Sequence, residues 1–151
     1  MVTMLQCNCS ILRSATRALS IAYDEALRHS GLRVSQFSLL ARLDAIGETA
    51  INDLAQSMTM DRTTLGRNLR LLERDNLVRM RVGVDRRARL IDLTVAGHKA
   101  LAEATPLWKE IHNRFENEFG KSRAKELRQV LGSVVEAGLA LYSGDAVLAG
   151  D

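Results

Sequence analysis

A mainly α-helical fold carrying one small two-stranded β-ribbon is what this sequence predicts, on three observations. Apolar residues recur at alternating steps of three and four along most of the chain. The period shortens to two only between Val78 and Leu93. A single Pro and no low-complexity tract leave little room for long irregular segments. The 151 residues suffice for one ordinary domain with a real core. A hydrophobic share of 46% and a charged share of 26% match a soluble globular protein.

Residues 7–30 read as a first helix. Leu12, Ala15, Leu19, Ala22 and Ala26 form a narrow apolar seam on it, suited to another helix. Gly31 is its expected cap. Ser35 is the expected N-cap of a second helix that reaches Ile46, carries Phe37, Leu40, Leu43 and Ile46 as its expected buried stripe, and ends at Gly47. Ile51, Leu54, Ala55 and Met58 mark a short third helix. After a brief break, Asp61 caps a fourth helix running to about Asp75, with Leu65, Leu69 and Leu72 on one face. Two short helices joined by a tight turn make a helix-turn-helix.

Val78, Met80 and Val82 then alternate with Arg79, Arg81 and Gly83. In the returning strand Arg87, Arg89, Ile91 and Leu93 share a face, and Gly83 with Asp85 supplies the turn. A lone hairpin is marginal in water, so this ribbon must lean on neighbouring helices. Thr94 caps a fifth helix with the stripe Leu101, Ala104, Trp108, Ile111 and Phe115, which Pro106 is expected to kink. Gly120 ends it. Ser122 begins a sixth helix with Leu127, Val130, Leu131, Val134, Val135 and Leu141 in its stripe, and a frayed tail is expected from Gly144. This order describes a single chain, 1–151, with a winged helix-turn-helix lobe at 35–93. Residues 5–30 and 94–142 remain as terminal helices.

The net charge of +3 is modest, but its distribution is not. Between residues 62 and 89 nine bases face three acids, while the rest of the chain has twelve bases and fifteen acids. Every base in that window is Arg, although the chain has four Lys elsewhere. Guanidinium groups offer a planar fork of donors matched to phosphates and guanine edges. A concentrated Arg field points to nucleic acid.

With its leucines turned inward, the fourth helix presents Thr63, Arg67, Arg70 and Arg74 outward. Thr63, Thr64 and Arg67 lie near its start, the end of a recognition helix that meets base edges in the major groove. Arg86 and Arg87 sit at the ribbon tip, where Arg suits the negative potential of a minor groove. Asp85 would be repelled by phosphate, so it is expected to hold a neighbouring Arg by an ion pair.

Asp85-Arg86-Arg87, then Ile91-Asp92-Leu93-Thr94 and Gly97, resembles the wing signature of the multiple-antibiotic-resistance regulator (MarR) family. Leu65-Gly66-Arg67-Asn68-Leu69, Leu72-Glu73 and Asn76-Leu77-Val78 are similar to that family's recognition helix and its exit. The likeness runs from Leu12 to about Leu141. One departure is Gly66, where members often carry a hydroxyl or another side chain. The resemblance implies a transcription regulator, by default a repressor, that binds double-stranded DNA as a homodimer through its terminal helices. A two-fold dimer would read a pseudo-palindrome with half-sites about 34–36 Å apart. DNA contacts carried over from the family fall on Thr63, Thr64, Arg67 and Arg87, with Asp85 as the structural acid. Arg70, Arg86 and Arg89 complete the expected DNA-binding set. The resemblance also implies control by a small aromatic ligand or an oxidant. Tyr23, Phe37, Trp108 and His112 are candidate effector-pocket residues, each also readable as plain core or interface. Cys7 and Cys9 are candidate redox sites, because some members sense peroxide near the start of the first helix. The sensors' activating Tyr in the second helix is missing, since Phe37 stands there without a hydroxyl.

No metal and no cofactor is expected, because His29, His98 and His112 form no ligand-spaced cluster. No phosphate loop, nucleophile elbow or carboxylate pair suggests an enzyme. The alternative is a winged-helix module that binds protein rather than DNA, which would not need an Arg-rich face. No apolar run reaches the roughly 18 residues of a membrane helix. The N-terminus lacks a signal-peptide pattern, and two close Cys make no disulfide framework, so the expected location is the cytoplasm.

Overall fold

The structure, a computed structural model, describes residues 6–148, with side chains described through residue 142. Its elements are α1 (Asn8–Leu27), a 3-10 turn (Arg28–Ser30), α2 (Val34–Ile46), β1 (Thr49–Ala50), α3 (Ile51–Ser57), α4 (Arg62–Arg74), β2 (Val78–Val82), β3 (Arg89–Leu93), α5 (Val95–Phe119) and α6 (Lys121–Leu148). The chain divides into two compact units, residues up to 111 and residues from 112 onward. Among the described residues, no helix is long and apolar enough to cross a membrane.

The first unit holds one continuous apolar cluster. Leu27, Phe37, Leu40 and Leu43 meet Leu54, Leu65, Leu69 and Leu72, and Val78, Ile91, Leu93, Leu101 and Ala104 close it. No polar or charged side chain is buried among the described residues. The core therefore selects helix faces by hydrophobicity alone.

The mainly α fold with a wing stands, with several local corrections. The wing is three-stranded rather than two-stranded, in the antiparallel order β1-β3-β2. Thr49 pairs with Ile91 and Ala50 with Leu90, so the strip before α3 covers the free edge of β3. The β2–β3 register sets Val78 opposite Leu93, Met80 opposite Ile91 and Val82 opposite Arg89. Arg87 lies in the tip, not in the strand. Helix α2 starts at Val34 with Arg33 rather than Ser35 at its cap position. The reason is tertiary: an Asp24 carboxylate oxygen from α1 accepts the Val34 N–H at 2.7 Å. Helix α6 begins at Lys121, one residue before Ser122, and continues to Leu148 instead of fraying at Gly144. Helix α5 contains Pro106 within its span, as the sequence predicts.

The base of the wing is tied to α5 by one cluster of bonds. The Thr94 hydroxyl donates to the Asn76 carbonyl at 2.6 Å and accepts the Gly97 N–H at 2.9 Å. The Thr94 N–H donates to the Leu77 carbonyl at 3.1 Å. Asn76 itself adopts φ 58° to turn the chain from α4 into β2. A Cβ on Gly97 would lie 2.0 Å from the Leu77 carbonyl oxygen. Only Gly lets α5 pack this closely, which is the physical content of the Leu93-Thr94 and Gly97 pattern. We expect Gly97→Ala to lower the free energy of urea unfolding by about 3 kcal/mol through overpacking. An unchanged urea midpoint would contradict that account.

Candidate nucleic-acid interface

Helix α4 begins with Asp61, whose carboxylate accepts the Thr64 N–H at 2.8 Å and the Thr64 hydroxyl at 2.6 Å. The Thr64 hydroxyl bond, and then the Thr64 backbone bond, hold the Asp61 carboxyl below its ordinary value of 3.8. Leu65, Leu69 and Leu72 are fully buried, so the opposite face must look outward. Thr63, Thr64, Arg67 and Arg70 are all exposed there. Thr64 differs from the other three, because its hydroxyl proton is committed to the cap.

A concavity of about 670 Å³ lies along this face. Arg62, Thr63, Gly66, Arg67, Arg70 and Glu73 of α4 line it, with Ile51, Met80 and Arg89. Four of the seven residues expected to meet DNA, Thr63, Arg67, Arg70 and Arg89, are thus brought to one groove. Arg62 joins them, a residue that the charge count includes but the outward face of α4 named above does not. Its place directly after the Asp61 cap, one helical turn before Gly66, is the signal that was available.

The wing tip is shaped by backbone bonds. The Gly83 N–H donates to the Ala88 carbonyl at 2.9 Å, and the Ala88 N–H to the Asp85 carbonyl at 2.8 Å. The Asp85 carboxylate accepts the Arg87 backbone N–H at 3.0 Å. It forms no ion pair among the described residues, which corrects the expected salt bridge. An Asx-type turn gives the acid its structural task instead. Arg86 and Arg87 are exposed beside it.

The nine arginines of this region are not equivalent. Arg74 pairs with Asp75 at 3.1 Å, Arg79 pairs with Asp92 at 2.9 Å, and Arg81 pairs with Glu48. Arg62, Arg67, Arg70, Arg86, Arg87 and Arg89 make no ion pair among the described residues, and all six are exposed. The compensated cations sit at the exit of α4 and on β2. The uncompensated ones line the groove and crown the wing.

The remaining candidates are more dispersed. Phe37 and Trp108 stack with ring centroids 5.7 Å apart, Phe37 being buried. Tyr23 borders a separate hollow of about 230 Å³ with Thr16, Leu19, Ser20 and Val34. His112, in the second unit, lies 3.4 Å from Glu116. Cys7 occupies the N-cap position of α1, and both Cys7 and Cys9 are free thiols.

A sequence-family model for the MarR family matches residues 32–88. The DNA-bound M. tuberculosis transcriptional regulator MosR is 38% identical, with a TM-score of 0.83, over 89% of this chain and 98% of that one. The chain belongs to the MarR family. Two further MarR-like folds are CouR, a transcriptional repressor solved on a 23-mer DNA duplex, and PcaV of Streptomyces coelicolor, solved with its natural ligand. CouR is 23% identical with a TM-score of 0.77, over 89% of this chain and 98% of that one. PcaV is 16% identical with a TM-score of 0.80, over 91% and 98%. Comparison with curated protein sequences finds no match.

Within this MarR fold the Asp61 cap has a defined pH dependence. Because its pKa is depressed on folding, its stabilising contribution is complete above the ordinary 3.8 and is lost as pH falls through the lower folded value. We expect Asp61→Ala to lower the melting temperature at pH 7, with the difference from wild type shrinking under acid. Asp61→Asn, which keeps an acceptor, should lose less. Equal melting temperatures for Ala variant and wild type at neutral pH would remove the cap from the account.

Proposed function

We propose that this chain is a homodimeric repressor that binds a pseudo-palindromic DNA site and releases it on a chemical signal. One observation carries the reading: six guanidinium groups on α4 and the adjoining wing make no ion pair among the described residues, next to three that local acids neutralise. Helix α4 enters the major groove. Thr63 and Arg67 meet base edges there, Thr64 offers its methyl and lone pairs, and Arg70 takes phosphate. Arg86 and Arg87 reach the neighbouring minor groove, Arg89 supports them from β3, and Asp85 keeps the tip in shape. The DNA-bound state of MosR, and that of CouR, support the assignment.

The dimer is proposed from uncovered apolar surface. Ile11 and Ile21 on α1 are 53% and 72% exposed. On α6, Val130, Val134, Val135, Leu139, Leu141 and Tyr142 are exposed as well. Such faces on terminal helices are what a second copy buries. The signal is proposed to be a small aromatic ligand near Tyr23, Phe37, Trp108 or His112, in keeping with the ligand-bound PcaV. Oxidation at Cys7 or Cys9 is the second route. The protein acts in the cytoplasm, alongside DNA.

Binding to duplex fragments recovered from a random pool is expected to weaken with salt, log K falling linearly against log salt concentration. Arg87→Ala should shallow that slope by about one per protomer while leaving the dimer intact. Affinity that is flat with salt contradicts the charge argument. The double variant Val130→Glu with Val134→Glu is expected to sediment as a monomer and to lose high-affinity binding. A double variant that remains dimeric would place the interface elsewhere.

A further inference from the structure

Gly66 poses a problem that the fold does not solve. It is the fifth residue of a thirteen-residue helix, so it caps nothing. It is absent from the positive-φ residues, and a Cβ added there would meet nothing within 4 Å. Gly97 shows the opposite case, where a Cβ would strike the Leu77 carbonyl. A glycine inside a helix destabilises it relative to Ala, and here the protein interior gives nothing in return. What surrounds Gly66 is specific. It lies in the concavity that Arg62, Thr63, Arg67 and Arg70 line, one helical turn from both Arg62 and Arg70. It is half-buried while those four neighbours are exposed, so it forms the floor between long cationic side chains. Gly132 and Gly138 of α6 also have open space around them, but neither lines the concavity beside α4.

We propose that Gly66 is a specificity-determining position at which the edge of a DNA base pair seats against the bare backbone of α4. The missing Cβ sets how closely the helix approaches the major-groove floor. This rests on the DNA-binding reading above. It adds that the approach distance is set by an absent side chain, so the arginines on either side reach their partners only when position 66 is Gly. Ala pushes the helix outward by one methyl group, and Gln more.

The test uses the full chain and a duplex recovered by the wild-type protein from a random-sequence pool. Melting temperature, affinity and salt dependence are measured for wild type, Gly66→Ala and Gly66→Gln. Gly66→Ala is expected to melt about 3 °C higher. It should bind the duplex about tenfold more weakly, and Gly66→Gln more weakly still. Both variants should also shallow the salt slope, because arginines held back from the phosphates release fewer counterions. A variant that melts higher yet binds worse separates this role from a structural one. Wild-type binding with equal affinity for both variants overturns the inference alone, as does a lower melting temperature for Gly66→Ala. A wild-type protein that retains no duplex overturns the DNA-binding reading and this inference with it.

Discussion

The leucine face of α4 governs the arrangement of the whole interface. Leu65, Leu69 and Leu72 are each fully buried, which leaves the helix no freedom to rotate about its axis. Full burial of a leucine is worth about 1.5–3 kcal/mol, far more than an exposed charge contributes. Hydrophobic burial therefore decides where Thr63, Arg67 and Arg70 point. The charges are passengers on a helix oriented by its other side. The same logic holds in the sheet, where buried Val78, Ile91 and Leu93 hold the base of the wing while its tip projects.

Charge compensation refines what composition suggested. A count of nine arginines overstates the free positive charge, because acids neutralise three of them at exposed sites. Exposed ion pairs add little stability, so their effect is mainly to localise the field. After pairing, the unmatched guanidinium groups occur on the groove and the wing tip. A polyanion with grooves meets concentrated charge there and a balanced surface at the exit of α4 and on β2.

Much of this was legible in the sequence, and the limits have physical causes. Strong periodicity revealed α1, α4, β2 and α5 close to their true bounds. Asp61 and Thr94 were readable as caps because their partners lie three residues away. The strand β1 was not readable, since two residues cannot display an alternation and its partner lies some forty positions on. The start of α2 was misplaced because Asp24, ten residues back, supplies the acceptor. Asp85 was given an ion pair that the turn geometry replaces with a backbone bond. The groove itself is half legible: Thr63, Arg67, Arg70 and Arg89 follow from the sequence pattern and Arg62 has a signal in its place after the Asp61 cap, while the floor at Gly66, Ile51 and Met80 depends on the packing of α4 against α3 and the sheet.

Nitrogen NMR of the arginine side chains measures the central claim most directly. The Nε–H signals of the full-length protein would be followed as a bound duplex is added. The account predicts large shifts for Arg62, Arg67, Arg70, Arg86, Arg87 and Arg89, with Arg74, Arg79 and Arg81 nearly unmoved. Shifts confined to the paired arginines, or spread evenly over all nine, would contradict it.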